Sequence, residues 1–436
     1  MDTSIKFKIL TEGAKYDVSC ASSGTKRGMT KGMHGLTNSS GICHSFTADG
    51  RCISLIKVLL TNNCIYDCQY CVNRKSADVE RAMFEPGELC NLIMGFYKRN
   101  YIEGLFLSSA VFRSPDYTME LMIKTIELLR TKYYFNGYIH MKAIPGCDPL
   151  LLDKASKLAD RISVNMELPS KTSLKMLCPD KPAENIVSPM KHLAKIYTAQ
   201  KNGEYGNKSV LSAGQSTQMV IGATNDTDGN IIRLAEKMYR KLQMRRVYYS
   251  AYVPMGSQLL PDKPPNLVRE NRLYQADWLI RFYGFRAEEL IPLHMNLPLE
   301  MDPKCAWAIR NLDKFPIEVN TADPLMLLRV PGIGQKSVAK IISSRRLGKL
   351  TYEDLKKMRV VLKRASNFIL CDGKYYGRGF HEDVLKNMLV TPEFIKMEPH
   401  QLALFPENNT KKLNSQPVTT LLLPQELIHS SITGEL

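Results

Sequence analysis

Three cysteines on one short segment are the strongest chemical signal in this 436-residue chain. Cys64, Cys68 and Cys71 are spaced C-x3-C-x2-C, and Tyr70 directly precedes the last of them. Three thiolates on one loop can bind three irons of a [4Fe–4S] cluster and leave the fourth iron open for a ligand. A structural zinc site usually needs four protein ligands, and no fourth Cys or His follows at short spacing. The pattern therefore predicts an open iron–sulfur cluster and redox chemistry.

The cysteine segment follows the first of six candidate strands that alternate with helical segments. Such an alternation predicts an α/β fold with a parallel sheet, and right-handed crossovers would curl six strands into a partial (β/α)6 barrel. Active sites of β/α barrels lie at the carboxyl ends of the strands, so we expect the cluster at the mouth of this barrel. The candidate strands are 53–60, 104–109, 137–143, 161–167, 217–222 and 246–252, and the candidate helices are 86–98, 117–131, 150–158, 229–242 and 266–283.

The triplet and its place after a first strand resemble the radical S-adenosylmethionine superfamily, whose signature is C-x3-C-x-aromatic-C. Cys64, Cys68, Tyr70 and Cys71 match every signature position. The resemblance implies two cofactors, a [4Fe–4S] cluster and S-adenosylmethionine, with Tyr70 among the cofactor-binding residues. It further implies that one electron, from an external donor such as a flavodoxin or ferredoxin, cleaves S-adenosylmethionine. The 5′-deoxyadenosyl radical so formed removes a hydrogen atom from the substrate.

The same resemblance implies cofactor contacts at the ends of the later strands. Ser108 and Ser109 stand where the family often has Gly-Gly-Glu, although no Glu is present here. Lys142 ends the third strand and would pair with the methionyl carboxylate. Asn165 and Glu167 lie two residues apart, so they face one side of a strand, and they would hold the ribose or the carboxylate. The alternative is that each of them is a barrel-rim residue without a ligand.

Further cysteines and histidines near the N-terminus are candidates for a second metal site or for redox thiols. They are Cys20, Cys43 and Cys52, with His34 and His44. Their spacing matches no metal motif, so a set of unrelated side chains is the alternative. The chain has 11 cysteines in all, and their irregular spacing favours reduced thiols or metal ligands over a disulfide framework.

Positive charge is concentrated near the C-terminus. Residues 331–380 carry a net charge of +9, whereas the whole chain carries +16. A concentrated basic segment favours a polyanionic partner, most simply nucleic acid. A solvated basic face without a partner is the alternative.

A Pro-Gly-Ile-Gly turn lies within this basic segment, between candidate helices 323–329 and 335–345. Its glycines allow unusual φ angles and close backbone approach, and the free N–H groups at the start of the second helix can bind a phosphate. The pattern resembles the helix-hairpin-helix motif of DNA repair glycosylases, ligases and nucleases. The predicted nucleic-acid-binding residues are Pro331, Gly332, Ile333, Gly334, Lys336, Ser337 and Lys340.

The helix-hairpin-helix resemblance also implies core positions and a second hairpin. Val330, Ala339 and Ile342 would be the core of the first hairpin, and 352–369 would be a degenerate second copy. Such motifs contact backbone phosphates and position a protein without reading base sequence. DNA is favoured over RNA by resemblance only.

A short motif in the C-terminal tail resembles the peptide that bacterial replication and repair enzymes dock on the sliding clamp. The predicted partner-binding residues are Gln401, Leu402, Leu404 and Phe405. Apolar anchors in a polar segment suit a docking peptide. A strap that packs back on the protein is the alternative.

These features predict four parts: an N-terminal extension (1–52), a radical S-adenosylmethionine barrel (53–300), a small all-α helix-hairpin-helix domain (301–380) and a largely disordered C-terminal extension (381–436). No run of 18 apolar residues is present, so we expect no membrane span. The N-terminus lacks the apolar core of a signal peptide, and we expect a cytoplasmic protein.

A radical generator joined to a phosphate-binding motif suggests an enzyme that modifies or repairs DNA by hydrogen abstraction from a nucleotide. The order of parts also resembles a bacterial family of radical S-adenosylmethionine proteins assigned to DNA modification or repair. One alternative is a tRNA- or RNA-modifying enzyme, and another is a non-catalytic iron–sulfur sensor of DNA. The sequence assigns no catalytic residue.

Overall fold

The structure is a computed structural model that describes residues 1–14, 42–46, 52–254 and 257–390, without the side chains of 42–46 and 52. The chain divides into two compact units. One contains residues 1–226 and 234–270, and the other contains residues 227–233 and the described residues from 271 onward. The four-part division made from the sequence is finer than this and stays a prediction. No helix in the described ranges is long and apolar enough to cross a membrane.

The first unit contains a sheet of seven described strands whose order in space is their order in the chain. The strands are β1 (Ile42–Phe46), β2 (Cys52–Leu59), β3 (Gly104–Ser108), β4 (Tyr138–Lys142), β5 (Arg161–Ser163), β6 (Gly214–Ile221) and β7 (Met244–Ala251). β1 pairs antiparallel with β2, and β2 to β7 are parallel throughout. Six parallel strands added one by one on the same edge form a half-barrel. The predicted α/β fold of six parallel strands is confirmed.

Helices connect these strands, and several begin at the capping residues that the sequence offers. Ser114 and Asp148 each accept a hydrogen bond from a backbone N–H of the first turn, and each is followed by proline at the first helical position. The helices are α1 (Thr3–Ala14), α2 (Pro86–Lys98), α3 (Pro115–Thr131), α4 (Pro149–Ser156), α5 (Lys171–Leu177), α6 (Ala183–Lys201) and α7 (Asp228–Leu242).

β5 is shorter than its predicted range of 161–167. It ends at Ser163 because the backbone beyond leaves the regular ladder. Thr217 accepts the Met166 N–H through its side chain at 2.8 Å, and Glu167 forms only an isolated bridge to Met219. The sequence of residues 161–167 alone could not show that a threonine hydroxyl replaces a backbone acceptor.

The remaining helices are α8 (Leu267–Phe282), α9 (Ala287–Leu290), α10 (Pro303–Arg310), α11 (Pro324–Arg329), α12 (Gln335–Ser344), α13 (Tyr352–Lys357), α14 (Leu362–Ala365) and α15 (Glu382–Leu389), with a 3-10 turn at Leu312–Lys314. In the second unit, the buried Trp307 packs edge-on against Phe285 and Phe315, with ring centroids 5.4 and 6.1 Å apart. Phe315 packs on Phe368 in the same way at 5.2 Å. Edge-to-face contacts of this kind stabilise a core beyond area burial.

The C-terminal part is not all-α, so the sequence prediction was wrong in this respect. It contains a small sheet of β8 (Ile317–Glu318), β9 (Ile369–Cys371) and β10 (Lys374–Tyr375), in the order β10-β9-β8. Asp372 and Gly373 join β9 to β10 with φ angles of 52° and 73°. Positive φ at both central residues is the conformation of a type I′ hairpin turn, for which Asp-Gly is a known signal.

Both ends of the chain carry predictions that the structure does not address. The tail residues Gln401, Leu402, Leu404 and Phe405 lie outside the described residues, as do Cys20 and His34. Cys43, His44 and Cys52 lie on β1 and β2, but their side chains are not described. The extension predicted to be largely disordered from residue 381 begins with α15, a helix that buries Leu385 and Leu389.

Candidate functional site

A cavity of about 150 Å³ lies at the carboxyl ends of the parallel strands in the first unit. Its lining joins the loop after β2 to residues that end or follow β3 to β7. Most of the residues predicted for the cluster and the cofactor line it: Cys64, Cys68, Tyr70, Cys71, Ser109, Lys142, Asn165 and Glu167. Ser108 does not line the cavity, and its buried hydroxyl has no hydrogen-bond partner.

The guanidinium of Arg81 holds the cysteine loop in shape. Its Nη1 donates to the carbonyls of Asn62 and Asn73 at 2.6 and 3.0 Å. Its Nη2 donates to the carbonyls of Arg74 and Ala77 at 2.7 and 2.9 Å. One planar group thus satisfies four loop carbonyls on both sides of the cysteines, which a single ammonium could not do. No spacing rule pointed to Arg81 in the sequence.

The cysteine loop also rests on two distant loops. The Ile65 N–H donates to the Val111 carbonyl after β3 at 2.9 Å. The Gln69 N–H donates to the Leu177 carbonyl at the end of α5 at 2.8 Å. The Asp67 N–H donates to the Asp180 carboxylate at 3.0 Å. These contacts fix the backbone of the loop that carries the three thiols.

The arrangement of the thiols suits a multi-iron cluster better than a single metal ion. In the described part of the chain, no three His, Cys, Asp or Glu side chains close around one ion. Cys64, Cys68 and Cys71 instead stand around one shared cavity. In an iron–sulfur cluster each thiolate binds its own iron, so the ligands need not converge on one point. The residues present therefore fit a [4Fe–4S] cluster.

The pKa values of the Cys68 and Cys71 thiols shift in opposite directions. A hydrogen bond with Cys178 lowers the pKa of the Cys68 thiol to about 7, against the opposing effect of burial. Burial raises the pKa of the Cys71 thiol to about 12. Lys181 favours the thiolate form of both residues. A nearby cation favours the thiolate, which is the form of cysteine that binds a metal.

Lys181 is a site residue that the sequence did not reveal. Its Nζ lies 3.1 Å from the Glu167 carboxylate, and the two side chains are only 14 % and 8 % exposed. Burial by itself would lower the pKa of Lys181, but Cys68, Glu167 and Cys71 together raise it well above the usual value. Lys181 is therefore a buried, charged ammonium. In the sequence it is one lysine among many, in a loop without a motif.

Glu167 reaches this lysine through an unusual backbone conformation. Its φ is +65°, in the left-handed region that residues with a Cβ seldom adopt. Its N–H donates to the backbone carbonyl of Gln218 at 3.1 Å, and its carbonyl accepts from the backbone N–H of Val220 at 2.7 Å. Both partners lie on β6, which therefore fixes the conformation of Glu167. Non-glycine residues held in this way are frequent at functional sites. Asn165 and Glu167 both line the cavity, although Glu167 lies beyond the end of β5.

A fourth cysteine lies beside the triplet, although the sequence shows none at short spacing. Cys178 follows α5, is fully buried and is hydrogen-bonded to Cys68. It is not part of the cavity lining. Cys178 thus influences a ligand of the cluster without occupying the open side of the cavity.

The Tyr70 hydroxyl is a buried polar atom without a hydrogen-bond partner of good geometry. It still lies close enough to Cys68 to lower the pKa of that thiol. Burial raises the pKa of Tyr70 well above its usual value, so the phenol stays neutral. Unpartnered buried hydroxyls are rare in native proteins and point to a ligand or ordered water that completes them.

In the second unit, α11 and α12 flank the Pro-Gly-Ile-Gly turn as predicted. Gly332 has φ +84°, and a Cβ there would lie 2.6 Å from the Val361 carbonyl, so glycine is required. Gly334 has φ −102°, so the expectation of an unusual φ at both glycines was wrong for this one. Gly334 is the N-cap of the ten-residue α12, and no side chain caps the free N–H groups there.

The predicted nucleic-acid-binding residues differ in exposure. Lys336 and Lys340 are exposed, and Ser337 is half-buried. Pro331 and Ile333 are buried. Their side chains therefore support the turn, and a phosphate could meet only the backbone at these two positions.

The core of this hairpin is one residue out of phase with the prediction. Val330 is buried as expected. Val338 and Ile341 are buried, whereas Ala339 is exposed and Ile342 is half-buried. The predicted core positions Ala339 and Ile342 were therefore wrong. Both pairs have the same three-residue spacing, so periodicity alone could not choose between them.

Two short helices form within 352–369, where a second hairpin was predicted. α13 and α14 are joined by a turn in which Arg359 has φ +62°. The Val361 N–H donates to the Gly332 carbonyl at 3.1 Å, so the two turns are hydrogen-bonded to each other.

The side chain of Lys304 contacts the backbone of the Pro-Gly-Ile-Gly turn. It is 3 % exposed, and its Nζ donates to the Ile333 carbonyl at 2.6 Å. The same ammonium lies 4.9 Å from the centre of the Tyr283 ring. Burial lowers the pKa of Lys304 to about 7, although Asp302 favours its charge.

No protein-family model and no curated protein matches the chain. Among solved structures it is similar to HydG, a maturase of the [FeFe]-hydrogenase, with 12 % identity, a TM-score of 0.38 and coverage of 51 % of this chain and 47 % of that one. HydG from Carboxydothermus hydrogenoformans has 13 % identity and a TM-score of 0.38, and the match covers 51 % of this chain and 50 % of that one. A polyhistidine-tagged anSMEcpe with bound AdoMet has 15 % identity and a TM-score of 0.32, and the match covers 56 % of this chain and 62 % of that one. The chain thus spans about half the length of the HydG structures, and these likenesses are too distant to indicate what it does.

We expect Arg81→Lys to weaken cluster binding, because an ammonium cannot bond the four loop carbonyls that Arg81 serves. Loss of a group that orients metal ligands typically costs about 10- to 100-fold in metal affinity. Iron and acid-labile sulfide per chain, measured after anaerobic reconstitution and desalting, check this. Arg99→Lys, at an exposed arginine that ends α2, is the matched control. Equal iron retention in Arg81→Lys and the native protein would contradict the role.

Lys304 should make stability depend on pH. Its pKa is lowered from 10.5 to about 7 on folding, so between these values the unfolded chain holds a proton that the folded chain lacks. Lys304 should therefore contribute a rise in unfolding free energy with pH above about 7, by at most about 1.4 kcal/mol per pH unit. The Cys68 thiol, whose pKa is lowered to about 7, adds a rise of the same sign, whereas thiols with raised pKa values such as Cys71 oppose it above about pH 9. Urea unfolding at several pH values should show this slope in the native protein and in Lys356→Met, an exposed control. A slope between about pH 7 and pH 9 that is as steep in Lys304→Met as in the native protein would refute the assignment.

Proposed function

We propose that the protein is a radical S-adenosylmethionine enzyme that acts on nucleic acid, with DNA favoured over RNA. The observation that carries the proposal is the cavity at the strand ends of a parallel half-barrel, lined by Cys64, Cys68 and Cys71 together with polar side chains from other strands. The motif resemblance and this geometry are independent, since the motif concerns eight consecutive residues and the cavity gathers residues from the whole barrel.

In this proposal the three cysteines hold a [4Fe–4S] cluster, and Lys181 offsets negative charge beside Cys68 and Cys71. A buried cation near a cluster favours its reduced form, since reduction adds negative charge. Glu167 keeps the ammonium in place through its ion pair with Lys181. The electron would come from an external donor of the flavodoxin or ferredoxin type.

Polar side chains around the cavity would bind S-adenosylmethionine. Lys142 is suited to its carboxylate, and Asn165 and Gln218 offer amide groups from neighbouring strands. When bound, this cofactor supplies a 5′-deoxyadenosyl radical for hydrogen abstraction. The walls exclude bulk water from the reacting atoms, because apolar residues such as Leu59, Val111 and Val220 share the lining.

The second unit supports nucleic acid as the partner. Residues 331–380 carry a net charge of +9, and Lys336 and Lys340 project from α12, whose first N–H groups have no side-chain cap. Helix N-termini of this kind bind phosphate. In this proposal the segment is a helix-hairpin-helix grip on the backbone, and a base in a duplex would be flipped out before reaction.

The reaction class is tested by 5′-deoxyadenosine release. The reconstituted, reduced protein should produce 5′-deoxyadenosine from S-adenosylmethionine under anaerobic conditions, and more of it when its substrate is present. Chromatography with mass spectrometry should compare undamaged DNA, damaged DNA and transfer RNA. Stimulation by transfer RNA alone would replace DNA with RNA as the substrate.

Cys68→Ala should abolish this release, because one iron loses its ligand. Cys90→Ala is the control, since Cys90 is a buried thiol of α2 that does not line the cavity. No product from the native protein, with iron and sulfide confirmed, would sink the enzyme proposal and favour a cluster-bearing sensor.

The proposed binding of backbone phosphates by the helix-hairpin-helix segment is tested by the double variant Lys336→Glu with Lys340→Glu. We expect duplex DNA binding to weaken at least tenfold at low salt. The slope of log K against log salt should fall by about 0.9 for each phosphate that the protein no longer neutralises. The control is Lys98→Glu with Lys132→Glu, which makes the same charge change at exposed residues of the first unit. Equally weakened binding in both double variants would mean that only net charge matters.

A further inference from the structure

Two tyrosines of the second unit stack on each other and stay partly exposed. The rings of Tyr352 and Tyr376 lie nearly parallel, with centroids 4.2 Å apart and an interplanar angle of 18°. Tyr376 is 42 % exposed, and Tyr352 is half-buried. The aromatic pairs around Trp307 in the core of this unit are instead edge-on and buried. We call Tyr352 and Tyr376 the tyrosine stack.

Two different elements of the fold position the tyrosine stack. Tyr352 is the first residue of α13, whose first turn is closed by a capping box. Tyr376 directly follows β10, which pairs with β9. The Cys371 thiol of β9 donates to the Leu350 carbonyl at 3.2 Å, so the hairpin is joined to the segment that leads into α13. The backbone therefore brings the two rings together without help from a ligand.

The neighbouring Tyr375 differs from the tyrosine stack, because its side chain is tied into the fold. Its hydroxyl lies 3.3 and 3.2 Å from the carbonyls of Asn367 and Gly379, and its ring packs edge-on against Phe380. Within the described ranges, neither hydroxyl of the tyrosine stack makes a hydrogen bond. The stack thus satisfies no polar group of the second unit, although it keeps ring surface exposed.

The segment that carries the tyrosine stack has a surplus of exposed positive charge. Residues 345–378 contain three carboxylates, and each forms an ion pair with a lysine: Glu353 with Lys356, Asp354 with Lys357 and Asp372 with Lys349. Five basic side chains of this segment are exposed and have no ion-pair partner among the described residues: Arg346, Arg359, Lys363, Lys374 and Arg378. Lys374 and Arg378 each lie two residues from Tyr376. Such a surface favours a polyanionic partner over a neutral or basic one.

We propose that the tyrosine stack binds an unpaired base of the nucleic acid, while Lys374 and Arg378 meet the phosphates beside that base. The base adds a third parallel ring to the two tyrosines, and every base can do so because each has a π face. This rests on the proposed function for nucleic acid as the partner. It narrows the substrate to nucleic acid that has unpaired bases next to a duplex, as at an overhang, a gap or a loop.

The tyrosine stack lies near the Pro-Gly-Ile-Gly turn, where the duplex part would be held. Val361, in the turn after α13, donates its N–H to the Gly332 carbonyl, and α13 begins at Tyr352. Its six residues span about 9 Å, which is the length of about three nucleotides of one strand.

Only an unpaired base can use the tyrosine stack. A base inside a duplex is covered on both faces by its neighbours, whereas an unpaired base can stack on an aromatic side chain. The base that stacks here is not the base that reacts, so a flipped base can still enter the cavity of the first unit.

The test compares three labelled DNA probes that share one duplex. The first is blunt, the second has a short single-stranded overhang at either end, and the third has the same overhang phosphates without bases. Fluorescence anisotropy measures their binding to the full-length, cluster-loaded protein. The overhang with bases should bind at least fivefold more tightly than the abasic overhang, because one base stacked on an aromatic side chain contributes about 5- to 150-fold in affinity.

Tyr376→Ala should remove this preference and leave binding of the blunt probe unchanged, which a general distortion of the second unit would not do. Tyr376→Phe should keep the preference, since stacking needs the ring and not the hydroxyl. Neither variant should change the slope of log K against log salt, because no charge is removed. Lys374→Gln with Arg378→Gln should instead lower this slope by about 0.7 for each single-strand phosphate that is no longer neutralised.

Tyr134→Ala is the matched control, because Tyr134 is an exposed tyrosine of the first unit. It should leave the binding of all three probes unchanged. Equal binding of the two overhangs, or an unchanged preference in folded Tyr376→Ala, would overturn the inference and leave the exposed rings as a contact for another protein. Should Tyr376→Ala fail to fold, Tyr352→Ala carries the same test. Binding of the blunt probe and 5′-deoxyadenosine release test the proposed function separately, so its failure is distinguishable from failure here.

Discussion

The ion pair between Lys181 and Glu167 is the interaction on which the cavity depends. It places a buried ammonium beside Cys68 and Cys71, and the carboxylate that balances it comes from a residue with φ +65°. Removing one partner of a buried pair typically costs about 3–5 kcal/mol, because the other charge is left alone. The segment that leads to Lys181 accepts hydrogen bonds from backbone N–H groups of the cysteine loop. The segment around Lys181 therefore supplies both the positive charge beside the thiols and the hydrogen-bond acceptors that position the cysteine loop.

A buried lysine also supports the glycine turn of the second unit. Lys304 donates to the Ile333 carbonyl, and Gly332 allows a backbone contact that a Cβ would block. In both units the proposed chemistry relies on backbone positioned by basic side chains, the half-buried Arg81 and the buried Lys304, rather than on exposed side chains alone.

Several features could be predicted from local sequence. The six parallel strands follow from runs of apolar residues between helical segments, and the Cys64–Tyr70–Cys71 pattern located the cavity wall. Errors arose where local pattern is degenerate. Val338 and Ile341 have the same spacing as Ala339 and Ile342, so helical phase was ambiguous. The Asp372-Gly373 turn was visible in the sequence, but two-residue strands are too short for a periodic signal, so the small sheet was not expected.

The sequence by itself determined the chemistry that the chain can offer: three thiolates on one loop, a β/α alternation that puts them at strand ends, and a basic segment around a glycine turn. Only the tertiary structure decided which distant groups surround those thiolates. Lys181, Cys178 and Glu167 lie beside them although they are separated from them by about a hundred residues of chain. Spacing rules act within a turn or a strand, whereas these neighbours are set by how six strands curl and which loops meet at their ends.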